Sequence, residues 1–380
     1  MPGTADRLRV DHIGSLMRPP ALQRAMLDFM RGSLPETEVV AIEDAAIREV
    51  LAKQQAHGLP IVTDGEYRRR TYLDSLGQSV SGLEGWRRTW AERFLQEFDA
   101  RDNGTPGAQS LAADRQVAMQ RIGLVRNLPL EEYRFAAPLT DRALKITLLS
   151  PYHAAQFVEA GAGEGPYRAF DEVLADLVAA ERQIVEQLAA AGCGHIQQDA
   201  ASYVGFLDPR FRHAMLAAGQ DLDTRVQQAI TAENRAIEGI QGVTFGLHIC
   251  RGNRPGTPPG EGAYDAIAER VFSTAAHQRL LLEYDTERAG GFEPLRFVPA
   301  GKIAVLGLVS TKTARVETVD ELKRKIEQAS RYLPTEQLAI SPQCGFSSNV
   351  WGPPMTEDDQ WRKLDVLVQV ASDVWGRVTA

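Results

Sequence analysis

Apolar positions in this chain follow two rhythms. Short unbroken runs lie near residues 9–15, 61–66, 145–151, 195–200, 244–250, 279–285, 302–310 and 337–344, each stopped by glycine, proline or a polar residue. Such runs read as buried strands. Between them the apolar residues recur every three or four positions. Val173, Leu174, Leu177, Val178, Ile184, Val185 and Leu188 form one stripe and predict a helix over 170–191, ended by Gly192. Val39, Ile42, Ala46, Val50 and Leu51 predict another, opened by Pro35 and closed by Gly58 and Pro60. Further helices are expected over 21–31, 223–240, 264–276, 319–333 and from 356 to the C-terminus. Eight strands separated mostly by helices, with no Gly-rich dinucleotide fingerprint after any of them, predict the α/β class. Within it they favour a (β/α)8 TIM barrel over a doubly wound sheet.

One stretch breaks the pattern. From about 73 to 144 the chain turns polar and arginine-rich, with Trp86 and Trp90 near its start and a Gly-Thr-Pro-Gly turn. It reads as a helical excursion inserted after the second strand, with a hairpin arm around 133–139. Residues 1–380 then make a single barrel domain. A net charge of −8 argues against a nucleic-acid surface. No apolar run reaches membrane length, and the N-terminus lacks the apolar core of a secretory signal, so the cytoplasm is the expected compartment. Three cysteines cannot make a disulfide framework, but a reducing compartment leaves them available as metal-binding thiolates. Cys193, just past a helix end, reads as a small packing residue.

The chemistry gathers at strand ends. His248 and Cys250 close one apolar run two positions apart, so in a strand they point to the same side. Cys344 closes another run and Glu283 a third, and a closed barrel would bring all these C-terminal ends together. An imidazole, two thiolates and a carboxylate are all acceptable to Zn2+. Structural zinc usually sits on close Cys pairs, whereas these ligands come from separate strands. The carboxylate is also the ligand a thiol would most easily displace. Zinc would hold that thiol as the attacking thiolate, which predicts S-alkylation of a small-molecule thiol by an alkyl donor. The pattern neither requires nor excludes a homo-oligomer.

Ile13-Gly14-Ser15, Asp64-Gly65-Glu66, Ile196-Gln197-Gln198-Asp199, His248-Ile249-Cys250, Leu282-Glu283 and Gln343-Cys344-Gly345 occur in the order of the motifs of the cobalamin-independent methionine synthases. From about residue 9 to its end the chain resembles the catalytic barrel of that family. The resemblance implies zinc on His248, Cys250, Glu283 and Cys344. It further implies that Ser15, Glu66 and Asp199 hold the amino-acid part of a homocysteine-like substrate. Glu283 and Asp199 are then the catalytic residues, with Arg251 and Tyr203 as further substrate contacts. Three departures stand out. The chain has Asp199-Ala200-Ala201-Ser202 where the family has Asp-Glu-Pro-Ala. It has Ser310 where the family has a histidine that assists proton transfer to the folate. Cys250 is followed by Arg-Gly-Asn-Arg, as in short single-barrel relatives that include the epoxyalkane:coenzyme M transferases. Methyl transfer to homocysteine or an analogue is the leading expectation. Opening of an epoxide by an anionic thiol, with Arg251, Arg254 or Lys312 on its sulfonate, is the second. A barrel with structural zinc, serving as a binding protein or a lyase, is the third. A serine hydroxyl is too weak an acid to protonate a leaving pterin nitrogen, so methyltetrahydrofolate is expected to be a poor donor unless Tyr203 or Lys312 supplies the acid.

Overall fold

Sheet order is the first property of the fold that matters for function. The computed structural model describes residues 8–83, 116–160, 165–252, 260–350 and 352–376, together with 95 and 378. Seven strands pair in sequence order into one parallel sheet: β1 Ile61–Val62, β2 Ala143–Leu149, β3 His195–Asp199, β4 Thr244–Ile249, β5 Arg279–Glu283, β6 Ile303–Val309 and β7 Leu338–Pro342. The expected first strand, 9–15, is reduced to a single parallel bridge between Val10 and Ile340 of β7. Asp11 N donates to Ile340 O and Ile340 N to Arg9 O, both at 2.9 Å. Further on, Leu16 N donates to Gly65 O at 3.1 Å, just past β1. Both edges of the sheet thus meet on one segment, giving a barrel-like ring with one short stave. Its extended run stops early because Gly14, at φ +149°, and then Pro19 and Pro20 cannot continue a ladder.

The helices largely follow their stripes and caps: α1 Pro20–Met30, α2 Glu36–Ala56, α3 Leu128–Ala136, α4 Phe170–Ala190, α5 Leu222–Ile237, α6 Val319–Ala329 and α7 Glu357–Trp375. Thr318 and Thr356 each form a capping box, which fixes where α6 and α7 begin. The hairpin arm expected at 133–139 is instead α3 followed by the 3-10 turn Ala137–Leu139. Asn127 accepts from Leu130 N at 2.9 Å and Pro129 sits in the first turn, so the segment carried helix-start signals. The helix expected over 264–276 is split into the turn Tyr264–Ala266 and the helix Ala268–Thr274. Of the excursion, 84–94 and 96–115 lie outside the described residues, Trp86 and Trp90 among them. Its ends carry the short helix Asp74–Gly77 and a small parallel pair between Gln116–Val117 and Val158–Glu159. Among the described residues no helix is long and apolar enough to cross a membrane.

Inside the ring the side chains stack in layers. At the N-terminal end Asp11 pairs with Lys145 at 2.7 Å and Arg279 at 3.2 Å, and Lys145 also reaches Gln197 Oε1 at 2.7 Å. Above them Ile13, Leu281, Ile303, Val305 and Ala339 form an apolar plug, separate from the main core outside the sheet. The plug closes the floor, so chemistry is confined to the C-terminal mouth.

Outside the sheet, on α5, Glu233 is fully buried and accepts from Tyr203 Oη at 2.7 Å and from Ser150. Burial pushes its carboxyl up to about 8, against those two hydrogen bonds. A folded-state value above the ordinary 4.5 means that stability is whole at low pH and is lost as pH rises towards and through about 8. Glu233→Gln keeps the shape without the charge. Thermal melts across that range are expected to show the variant gaining on the wild-type protein with rising pH, whereas parallel curves would refute the assignment.

Candidate metal centre

His248 faces into the barrel because residues 246, 248 and 250 alternate onto the inner side of β4 and its exit. Gly246, two positions earlier, leaves room for the plug, since a Cβ there would lie 2.9 Å from Leu281 Cδ1. Cys250 follows the last residue of β4 and Cys344 comes two residues after β7. The ligand atoms of His248, Cys250 and Cys344 lie within 4.8 Å of one another and all three residues are buried. His248 Nδ1 lies 3.2 Å from Leu281 O, and Nε2 is buried with no hydrogen-bond partner. An Nδ1–H donated to the carbonyl leaves Nε2 with a lone pair facing the thiols, the tautomer a metal-binding histidine uses. The electrostatics favour an imidazolium beside a thiolate, a pair whose proton an incoming metal ion would displace. A hydrogen bond with the Cys344 thiol, and then the charge of His248, hold the Cys250 thiol well below its ordinary value despite burial. The same bond drives the Cys344 thiol up. Burial pushes the His248 imidazole down, but the contact with the Cys250 thiolate, the Asp199 charge and the Leu281 carbonyl together outweigh it and raise the imidazole.

Glu283 ends β5 and is buried, but it is not part of that cluster of three. Its Oε2 accepts from Arg251 N at 2.7 Å. Its Oε1 accepts from Arg288 Nε at 3.0 Å and from Arg288 Nη2, with Lys312 Nζ at 3.5 Å.

Ser15, Glu66 and Asp199 line one cavity of about 220 Å3 together with His248, Cys250 and Cys344. Glu66, at φ +59°, is the only non-glycine residue with positive φ among the described residues. Its N–H donates to Asp64 Oδ1 at 2.9 Å, so the Asp-Gly-Glu element is both a turn and a device for turning the glutamate inward. Glu66 Oε1 accepts from Thr147 Oγ1 at 2.7 Å, while Oε2 is buried with no partner. Asp199 Oδ1 accepts from Gln197 Nε2 at 2.7 Å, and burial lifts its carboxyl to about 7. Two glycines permit the close packing: a Cβ on Gly14 would sit 2.5 Å from Glu66 Oε1, and one on Gly345 2.1 Å from Ser15 Oγ. The apolar part of the lining is Ile13, Leu73, Tyr72 and Phe157. Tyr72 Oη lies 3.0 Å from His153 Nε2, a contact that sequence reasoning missed because the two residues are 81 positions apart.

Two expected substrate contacts are not brought to this cavity. The Arg251 guanidinium donates to Gly262 O at 2.8 and 2.6 Å and lies 4.2 Å over the Tyr264 ring. It directly follows Cys250 in extended chain and so faces the other way. Tyr203 sits in a 3-10 turn that carries it behind the sheet to Glu233. Arg254 lies outside the described residues, and Lys312 is bound to Asp285 at 2.6 Å. Ser310 N donates to Glu317 Oε1 at 3.0 Å, and Ser310 does not line the cavity.

A family model described as the catalytic domain of cobalamin-independent synthase matches residues 160–372. The chain belongs to the cobalamin-independent methionine synthase family. Among its family relatives, an uncharacterized protein of Bacillus subtilis (strain 168), YxjG, is 33% identical over 97% of this chain and 94% of that protein. A methionine synthase of Pyrococcus abyssi is 25% identical over 88% of this chain and 85% of its own length. The 5-methyltetrahydropteroyltriglutamate–homocysteine methyltransferase of Ralstonia pickettii is 23% identical over 89% of this chain, but only 39% of that longer protein is covered. In fold, a crystal structure of a putative vitamin-B12-independent methionine synthase from Listeria monocytogenes superposes with a TM-score of 0.75 at 24% identity, covering 99% of this chain and 100% of that one.

Proposed function

We propose that the protein is a zinc-dependent transferase that methylates the thiol of homocysteine or a close analogue at the mouth of a (β/α)8 barrel. The observation that carries this reading is the pairing, in one cavity, of two buried atoms without partners: His248 Nε2 beside Cys250 and Cys344, and Glu66 Oε2. The first suits a soft-ligand metal and the second suits an ammonium group. His248, Cys250 and Cys344 would hold the ion, with Glu283 as the fourth and exchangeable ligand. Zinc bound there would lower the pKa of an incoming thiol so that it reacts as thiolate. Glu66 and Asp199 take the substrate ammonium and Ser15 its polar flank. Ile13, Leu73, Tyr72 and Phe157 enclose the methylene chain and keep water from the reacting sulfur.

No lysine or arginine is among the residues lining the cavity, so the described residues offer a sulfonate no cation there, and homocysteine is favoured over coenzyme M. The Ser310 hydroxyl accepts from Lys312 N at 3.3 Å away from the cavity lining, and Tyr203 and Lys312 are engaged elsewhere, which supports the expectation that methyltetrahydrofolate is a poor donor. The test is to give the zinc-loaded protein homocysteine with methyltetrahydrofolate or methylcobalamin and, in parallel, coenzyme M with a simple epoxide. Methionine is expected, with the folate the slower donor. Glu66→Gln is expected to raise KM for homocysteine by about tenfold or more at unchanged zinc content, as a charged hydrogen-bond partner is lost. Alkylated coenzyme M without methionine would sink the reading.

A further inference from the structure

The carboxylate of Glu283, the last residue of β5, has two cationic claimants, Arg288 and Lys312. We propose that Arg288 is a receiving post for the Glu283 carboxylate: it competes with the metal centre for that group and so sets how readily the fourth ligand position opens to an incoming thiol. The inference rests on the zinc reading above.

The geometry is that of a holding site. Arg288 approaches Glu283 Oε1 with both Nε, at 3.0 Å, and Nη2, while the Arg251 amide holds Oε2 at 2.7 Å. The Glu283 side chain is fully buried and that of Arg288 is 10% exposed, so neither charge is screened by much water. A carboxylate released from a metal into such a place would be strongly destabilised if left alone, as any unpaired buried ion is. Moving from one cation to another avoids that penalty, because the group is compensated at both ends of its swing. Lys312 is the lesser claimant, since it stands at 3.5 Å from Glu283 but 2.6 Å from Asp285.

Arg288 is suited to the task in a second respect. It sits in the single 3-10 turn Glu287–Ala289, separated by three residues from the end of β5 and tied by Gly262 N donating to Arg288 O at 3.1 Å. Its Nη2 lies 3.4 Å from Gly252 O, two residues past Cys250, so the guanidinium touches the exits of both ligand strands. Its Nη1 is buried without a hydrogen-bond partner. A pair built only to brace two loops would be expected to saturate its donors, whereas this one keeps capacity in reserve.

The test uses zinc-loaded protein without thiol, and reads zinc transfer to a chromogenic chelator together with equilibrium binding of homocysteine. In Arg288→Met the carboxylate has one claimant fewer. Zinc release is expected to slow by about tenfold and homocysteine to bind about tenfold more weakly, the scale of outer-partner effects on metal sites. Arg288→Lys, which keeps charge but loses the fork, should fall between. In a Glu283→Gln background Arg288→Met should change neither quantity. A bracing role predicts the opposite sign, because a loosened centre loses zinc faster. Unchanged or faster release in Arg288→Met overturns the proposal, as does equal slowing in the Glu283→Gln background. Wild-type protein that takes up no zinc overturns the zinc reading as well, whereas a zinc-loaded wild type with an indifferent Arg288→Met overturns this inference alone.

Discussion

Cys344→Ser and Cys250→Ser proteins will purify with the metal centre largely empty and with no measurable methyl transfer. A hydroxyl is a poor zinc ligand at neutral pH, whereas a thiolate is among the best. If four ligands share the binding free energy of a zinc site, about 10–16 kcal/mol in total, losing one removes roughly 3 kcal/mol, or about a hundredfold in affinity. Dilution during purification then strips the ion. Both cysteines are buried at the mouth beside an imidazole whose Nε2 has no other partner, so neither loss can be made good by a neighbour. Cys193→Ser is the control, since that thiol contacts His195 O at 3.4 Å behind the sheet. Metal analysis decides the matter: full occupancy in both ligand variants would remove the basis of the zinc reading.

Arg69→Met will be the most destabilising single change near the site, at about 3–5 kcal/mol. Arg69 is buried, and it grips Glu132 with Nε at 2.8 Å and Nη2 at 2.6 Å while Nη1 holds Thr147 Oγ1 at 2.8 Å. It also stands 3.8 Å from Glu66, so one guanidinium compensates two buried carboxylates. Burial already lifts Glu132 to about 7 in spite of the arginine. With the arginine gone, Glu132 can only be buried as the neutral acid, so the deficit should shrink as pH falls. Replacing both partners, as Arg69→Met with Glu132→Leu, should restore much of the stability, because an apolar pair does not leave a lone charge. Denaturant melts of the three proteins at two pH values test this, and a loss within about 0.5 kcal/mol for the single variant would show the pair to be unimportant.

The strands of the site were readable because a buried parallel strand is an apolar run, and the run visibly ends where His248, Cys250, Cys344 and Asp199 stand. Strand order followed from alternation alone. What could not be read was direction after the strand ends. Arg251 is next to Cys250 in sequence and Tyr203 four positions past Asp199, yet one extended step or one 3-10 turn sends each away from the cavity. Nor does a sequence show which of several cations a carboxylate will choose, so Glu283 read as a simple ligand while Arg288 went unnoticed. The first strand was overestimated for a local reason, a positive-φ glycine and two prolines within a few residues.

That weak first stave has a consequence for ligand binding. The ring is closed by the bridge at Val10 and by the bonds from Leu16 N to Gly65 O and from Phe346 N to Ser15 O, and this seam runs through the site itself. Ser15 lies on the thin stave, Glu66 just beyond its neighbour on one side, and Cys344 just beyond its neighbour on the other. An amino-acid thiol held by all three would be a clasp across the seam, tying together the two edges that the backbone joins least firmly. Binding and barrel closure then become one linked equilibrium, and the occupied protein is the more firmly closed one.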